Sequence, residues 1–131
     1  MSNNTRFPIT LFSFGYKYGP PSDVNFLFDV RFLRNPFHEK ELRSFTGLKS
    51  RISDFVLEND SGQTCLQHLH RMVVFHATQL RQSGKDELRI AIGCTGGHHR
   101  SVAVTEALAN LLKNDFDSVS HFHRDIEKES H

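Results

Sequence analysis

Leu88-Arg89-Ile90-Ala91-Ile92-Gly93-Cys94-Thr95-Gly96-Gly97-His98-His99-Arg100-Ser101 decides how this 131-residue chain is read. The apolar run over 88–92 gives way to glycines, and Val104, Ala107, Leu108 and Leu111 then recur at helical spacing. The segment is a strand, a tight glycine-rich connection and a helix, and Val119 to His123 supplies the next strand. Upstream, 9–15 reads as an apolar strand ending at a glycine. A second strand is expected over 26–32, with Phe26, Phe28, Val30 and Phe32 alternating against Leu27, Asp29 and Arg31. Leu48, Ile52, Phe55 and Val56 mark one amphipathic helix; Leu66, Leu69, Val73, Ala77 and Leu80 mark a longer one that should stop at Ser83-Gly84. This alternation predicts an α/β fold, a mainly parallel sheet flanked by helices, in which ligands bind beyond the carboxyl ends of the strands.

The length suits a single domain over 1–131, without repeats or a dividing linker, and the charged tail from about residue 125 is expected to fray. Sixteen Lys and Arg stand against 15 Asp and Glu, a formal charge of +1. A broad basic field for nucleic acid is thereby excluded, and any phosphate recognition must be local. No apolar run is long enough to cross a bilayer, and Met1-Ser2-Asn3-Asn4 lacks signal-peptide character, so a cytoplasmic protein without membrane attachment is expected. Cys65 and Cys94 fit no zinc spacing and are read as free thiols, Cys65 as a small buried hydrophobe.

The chemistry is concentrated in residues 93–101, between a strand and a helix N-terminus. Helix-initial amides lack intrahelical partners, the helix dipole favours anions, and glycines let the backbone close around phosphate oxygens. Thr95 and Ser101 add hydroxyls, His98 and His99 add donors, and Arg100 adds a guanidinium fork, so Cys94, Thr95, Gly96, Gly97, His98, His99, Arg100 and Ser101 form the candidate ligand site. Asp29 and Arg31 share a face near the carboxyl end of their strand and could reach the same ligand, Asp29 accepting from hydroxyls or an amine. Lys17 and Tyr18, in the loop after the first strand, would sit on the same rim.

A competing reading takes Cys94 and Arg100 as a Cys-x5-Arg signature, resembling cysteine-dependent phosphatases in which a thiolate attacks phosphorus. Gly93 stands where that family carries a histidine, and no general-acid Asp loop follows. Wider blocks favour a different family: Ser13-Phe14-Gly15-Tyr16-Lys17-Tyr18-Gly19, Phe28-Asp29-Val30-Arg31-Phe32-Leu33 with Asn35-Pro36, Leu42-Arg43 with Thr46-Gly47-Leu48, the 91–102 loop region, and His123-Arg124-Asp125. Together they resemble the C-terminal domain of the RapZ family. That resemblance implies an α/β domain similar to a phosphofructokinase subdomain, forming homo-oligomers. It also implies sensing of glucosamine-6-phosphate and binding of small RNA as an adaptor for a ribonuclease, without catalysis and without a cofactor.

The expected version is free-standing, since a Walker-type nucleotide-binding domain has no room here. Arg124 and Lys128 are its candidate RNA contacts, although Glu127 and Glu129 interleave acidic charge with them. A metal site is not expected, because His98-His99 and His121-x-His123 have no Cys or carboxylate at a matching spacing. His68, His70 and His76 fall on or beside a helix whose apolar stripe already explains it.

Overall fold

The computed structural model describes residues 6–128. Four strands, β1 (Ile9–Gly15), β2 (Phe26–Asp29), β3 (Leu88–Cys94) and β4 (Val119–His123), form one parallel sheet in the order β2-β3-β1-β4. Three helices, α1 (Ser50–Leu57), α2 (Asp60–Gln82) and α3 (Arg100–Leu112), complete the α/β fold. Among the described residues no helix is long and apolar enough to cross a membrane.

All three helices contribute to a single apolar cluster on one face of the sheet. Ile9 and Leu11 of β1 and Leu88, Ile90 and Ile92 of β3 point into it, against Ile52 and Val56 of α1, Val73 and Ala77 of α2, and Val104 and Leu108 of α3. Every one of these side chains is fully buried, a gain of about 1.5 to 3 kcal/mol for each large aliphatic. The other face carries a smaller cluster of Phe12, Phe14 and Ala91, packed by Tyr16 and Val24 from the β1–β2 connection. That connection is the one that runs from β1 toward β2, opposite in direction to the helical crossovers. Crossovers of one hand that run in opposite directions must cross on opposite faces. The helices consequently lie on one face rather than on both.

β2 is shorter than the alternation suggests. The Asp29 carboxylate accepts the Arg31 amide at 2.9 Å, a local turn that takes the backbone out of the sheet. Arg31 and Phe32 fall outside the strand, and Phe32 is 66% exposed. β3 runs two residues further than expected, to Cys94. Leu48 precedes α1 and is exposed, because the Thr46 hydroxyl and carbonyl accept the amides of Leu48 and Lys49 and delay the helix. α2 keeps its expected end: Ser83 caps it and Gly84 follows with a positive φ.

The fraying tail is corrected in part. Asp125 is fully buried, and the Arg124 amide donates to the Ser13 carbonyl, so the chain past β4 is packed against β1. Residues 1–4, read above for signal-peptide character, and Glu129-Ser130-His131 lie outside the described residues.

Gly93 has a steric reason to lack a side chain: a Cβ there would stand 2.3 Å from the Phe14 ring. Phe14 is itself fully buried and has no room to yield. Gly93→Ala should lower stability by about 1 to 3 kcal/mol, the range for overpacking a filled interior, read as a lower urea midpoint at unchanged slope.

Candidate functional site

β3 ends at Cys94 and α3 begins at Arg100, so residues 95–99 form the connection. Gly97 has φ of 77°, and a Cβ on it would come within 2.7 Å of the Gly15 amide nitrogen. A Cβ on Gly15 would in turn lie 2.5 Å from the Gly96 carbonyl carbon. The loop therefore lies directly across the end of β1. Three further contacts fix it: the Lys17 amide donates to the Thr95 carbonyl, the Gly47 amide to the His98 carbonyl, and His99 Nε2 to the Arg43 carbonyl at 3.1 Å.

The carbonyls of Thr95 and His98 are thus tied to neighbouring segments, while the loop amides point elsewhere. Among the described residues, the amides of Gly96, Gly97, His98 and His99 donate to no protein acceptor. α3 adds its first amides, for which His99 provides no side-chain cap. Over them opens a cleft of about 210 Å³ lined by Cys94, Thr95, Gly96, His98, His99 and Arg100, with Lys17, Asn35 and Phe37 on its walls.

Arg100 is 94% buried, and no carboxylate pairs with it among the described residues. Nη1 donates to the carbonyls of Arg31 and Leu33, Nη2 to the Thr95 hydroxyl at 3.4 Å, and Nε to nothing. Burial lowers its pKa, opposed by the nearby Cys94 and Asp29. His99 is lowered as well, first by burial, with the carbonyls of Phe45 and Arg43 pulling the other way. His98 donates from Nε2 to the Lys128 carbonyl, while its buried Nδ1 has no partner.

The remaining expected residues divide. Cys94 Sγ donates to the Ser101 hydroxyl at 3.1 Å; both are buried, and Ser101 lies behind the cleft rather than in its lining. Gly97 shapes the loop from below. Asp29 and Arg31 bond to each other in a two-pronged ion pair with a shortest contact of 2.7 Å, and Arg31 stacks over Tyr16. Neither lines the cleft. Hydrogen bonds from Arg31 hold Asp29 below the usual carboxylate range, and burial only partly offsets them. Lys17 reaches the cleft wall, whereas Tyr18 packs under the ammonium groups of Lys17 and Lys128. Arg124 and Lys128 are both paired to Asp125, at 2.8 and 2.7 Å.

Sequence reasoning missed three features. Asn35 and Phe37 line the cleft; the Asn35 side chain accepts the Phe37 amide and sets the short 3-10 turn that holds them there, and an Asn-Pro pair is the cap signal that could have shown it. Asp125 accepts the Gly15 amide at 2.8 Å beneath the loop. Glu106 meets His121 and His123, supplying from α3 the carboxylate that the spacing argument against a metal found absent near the strand.

A family model described as the RapZ C-terminal domain matches residues 7–127. A nucleotide-binding protein of Caldicellulosiruptor saccharolyticus is 46% identical over 121 residues, covering 92% of this chain and 41% of that protein. One from Corynebacterium jeikeium is 45% identical over 120 residues, and one from Bacillus thuringiensis 43% over 122, each with 41% of its own length covered. The chain thus spans about two fifths of the length of these curated relatives.

Burial pushes the Asp125 carboxyl up, but the bonds from Arg124, the Gly15 amide and Lys128 outweigh it and hold the group below the usual carboxylate range. The stability contributed by a group depressed in the folded state is complete above its unfolded pKa of about 3.9 and is lost as the pH falls through the folded value. Asp125→Asn, which keeps the acceptor and removes the charge, should cost about 2 kcal/mol at neutral pH. It should also flatten the loss of stability below pH of about 4 seen in acid-dependent urea melts of the wild type.

Proposed function

The chain belongs to the RapZ C-terminal domain family, and on that premise we propose that residues 93–101 bind the phosphate of a small phosphorylated ligand. The observation that carries this reading is the buried Arg100, which among the described residues has no carboxylate partner and an unbonded Nε, beside loop amides that find no acceptor among those residues either. A buried cation and exposed amides both call for an anion, and a phosphate would accept from the two together. Lys17 on the cleft wall adds a second positive charge.

The finer reading is an amino-sugar phosphate such as glucosamine-6-phosphate, sensed by a regulatory domain that hands RNA to a ribonuclease. The family resemblance supports it, together with a cleft suited to one sugar ring rather than a large ligand. In that arrangement Asp29 and Arg31 act from the rim, since their ion pair would have to open for Asp29 to meet an amine. The relatives are called nucleotide-binding proteins, so nucleotides belong in the same comparison.

A thermal-shift and calorimetry panel of sugar phosphates, the parent sugars, nucleotides and inorganic phosphate tests the proposal. Phosphorylated sugars should stabilise the fold where the parent sugars do not; a ligand at 100 times its dissociation constant adds about 2.7 kcal/mol. Arg100→Lys keeps the charge without the fork and should weaken binding at least about tenfold. Arg100→Ala should remove about 2 to 3 kcal/mol of binding. Absence of a shift with every phosphate removes the reading. Saturating sugar phosphate should also compete with RNA in a mobility-shift titration at physiological salt; RNA binding that ignores the ligand separates the two surfaces.

One contact favours the phosphatase alternative, the Cys94 Sγ to Ser101 hydroxyl bond inside a Cys-x5-Arg loop. Against it, the thiol is 98% buried and is turned to that hydroxyl. Wild type and Cys94→Ser should both leave an aryl phosphate at the background rate. A wild-type rate that disappears in Cys94→Ser would make this loop catalytic.

A further inference from the structure

Away from the cleft, we propose that Glu106, His121 and His123 form a binding site for a divalent transition-metal ion, with zinc the best fit. His121 and His123 stand two residues apart on β4, so both rings project toward α3, which presents Glu106 to them. Glu106 Oε2 lies 2.9 Å from His121 Nε2 and 2.7 Å from His123 Nε2, and the three prospective ligand atoms fall within 4.8 Å of one another. Tetrahedral zinc with bonds of about 2.0 Å sets its ligands about 3.3 Å apart. The two edges from Glu106 Oε2, at 2.9 and 2.7 Å, are shorter than that and the third is no longer than 4.8 Å, so the three side chains would rotate to seat the ion.

The donor set selects the class of metal. Two imidazoles and one carboxylate suit zinc and its neighbours better than magnesium or calcium, which prefer all-oxygen shells.

The outer ring of contacts fits the same purpose. His123 Nδ1 lies 2.7 Å from the hydroxyl of the fully buried Ser13, which orients the ring with Nε2 facing Glu106. A metal-binding imidazole characteristically bonds through one nitrogen while the other is held in this way. Both rings would bind through Nε2 as neutral imidazoles protonated on Nδ1, that of His123 donating to the Ser13 hydroxyl, and any further proton would leave to solvent. β4 is an edge strand, and side-chain exposures of 34% for Glu106 and 23% for His121 leave a path for the ion and a fourth position for water.

The test uses the full 131-residue chain, prepared without a histidine tag and titrated with zinc against a chromogenic chelator, then with cobalt(II) followed by its visible ligand-field bands. One equivalent should bind per chain with tetrahedral cobalt bands. Glu106→Gln and His121→Asn should each weaken binding by at least about tenfold, and Ser13→Ala by about tenfold through loss of orientation. His70→Asn, which dismantles the separate imidazole–carboxylate pair of His70 and Asp115 at 2.7 Å, should change nothing. Circular dichroism in chelator confirms folding of each variant; should Glu106→Gln fail to fold, His121→Asn on the sheet edge decides. Absence of a stoichiometric site overturns the proposal, as does a site that survives His121→Asn or is lost with His70→Asn.

Discussion

The end of β1 and the connection after β3 pass so closely that neither has space for a side chain. A Cβ on Gly15 would collide with the Gly96 carbonyl group, and one on Gly97 with the Gly15 amide. Two backbones at that separation need their polar groups satisfied locally. Asp125 does this for Gly15 from the far side of the crossing, at 2.8 Å, and is itself neutralised by Arg124 and Lys128. The position of the glycine-rich loop, and with it the direction of its amides, depends on this three-way junction of β1, the β3–α3 connection and the segment after β4.

Given that junction, the placement of Arg100 follows. It is the first residue of α3, and its side chain runs under the loop to the turn after β2, where the carbonyls of Arg31 and Leu33 accept its Nη1. Carbonyl dipoles solvate a guanidinium without cancelling its charge, and the N-terminus of α3 adds positive potential at the same spot. The Asp29 carboxylate that might have cancelled the charge is instead engaged with Arg31. Stability alone would favour a carboxylate facing a buried arginine, since an unpaired buried charge is costly. An anion bound in the cleft, as proposed above, would complete the charge balance.

Much of this was legible in the sequence because the signals were local. β1, α2, β3 and the start of α3 follow from short-range periodicity and from glycines next to a strand end, and the loop residues Cys94, Thr95, Gly96, His98, His99 and Arg100 gather around one cleft. The errors came where a side chain competes with regular structure or where partners are distant in sequence. Asp29 cuts β2 short by capturing the Arg31 amide, and hydrophobic alternation through Val30 and Phe32 gives no hint of that. Asp125 looks like the start of a charged tail because its partner, the Gly15 amide, is 110 residues away. Glu106 sits on the half-buried side of α3, and only the crossover that lays α3 over β1 and β4 brings it to His121 and His123.

β4 shows why an edge strand can matter more than its five residues suggest. Among the described residues its backbone ladder has a partner on one side only, β1, so side chains help to fix its orientation. The inward pair His121 and His123 ties it to α3 through Glu106. The outward Phe122 stacks on Phe12 at 4.9 Å and closes the thinly covered face of the sheet. Its continuation delivers Arg124 and Asp125 to the crossing at Gly15. A shift of β4 by one residue would exchange the two faces, turning the imidazoles away from Glu106 and Phe122 toward the helices, and would pull Asp125 off the Gly15 amide. The register of this strand is therefore set by both of its faces and by its end, and through Asp125 it holds in place the loop on which phosphate binding is proposed to depend.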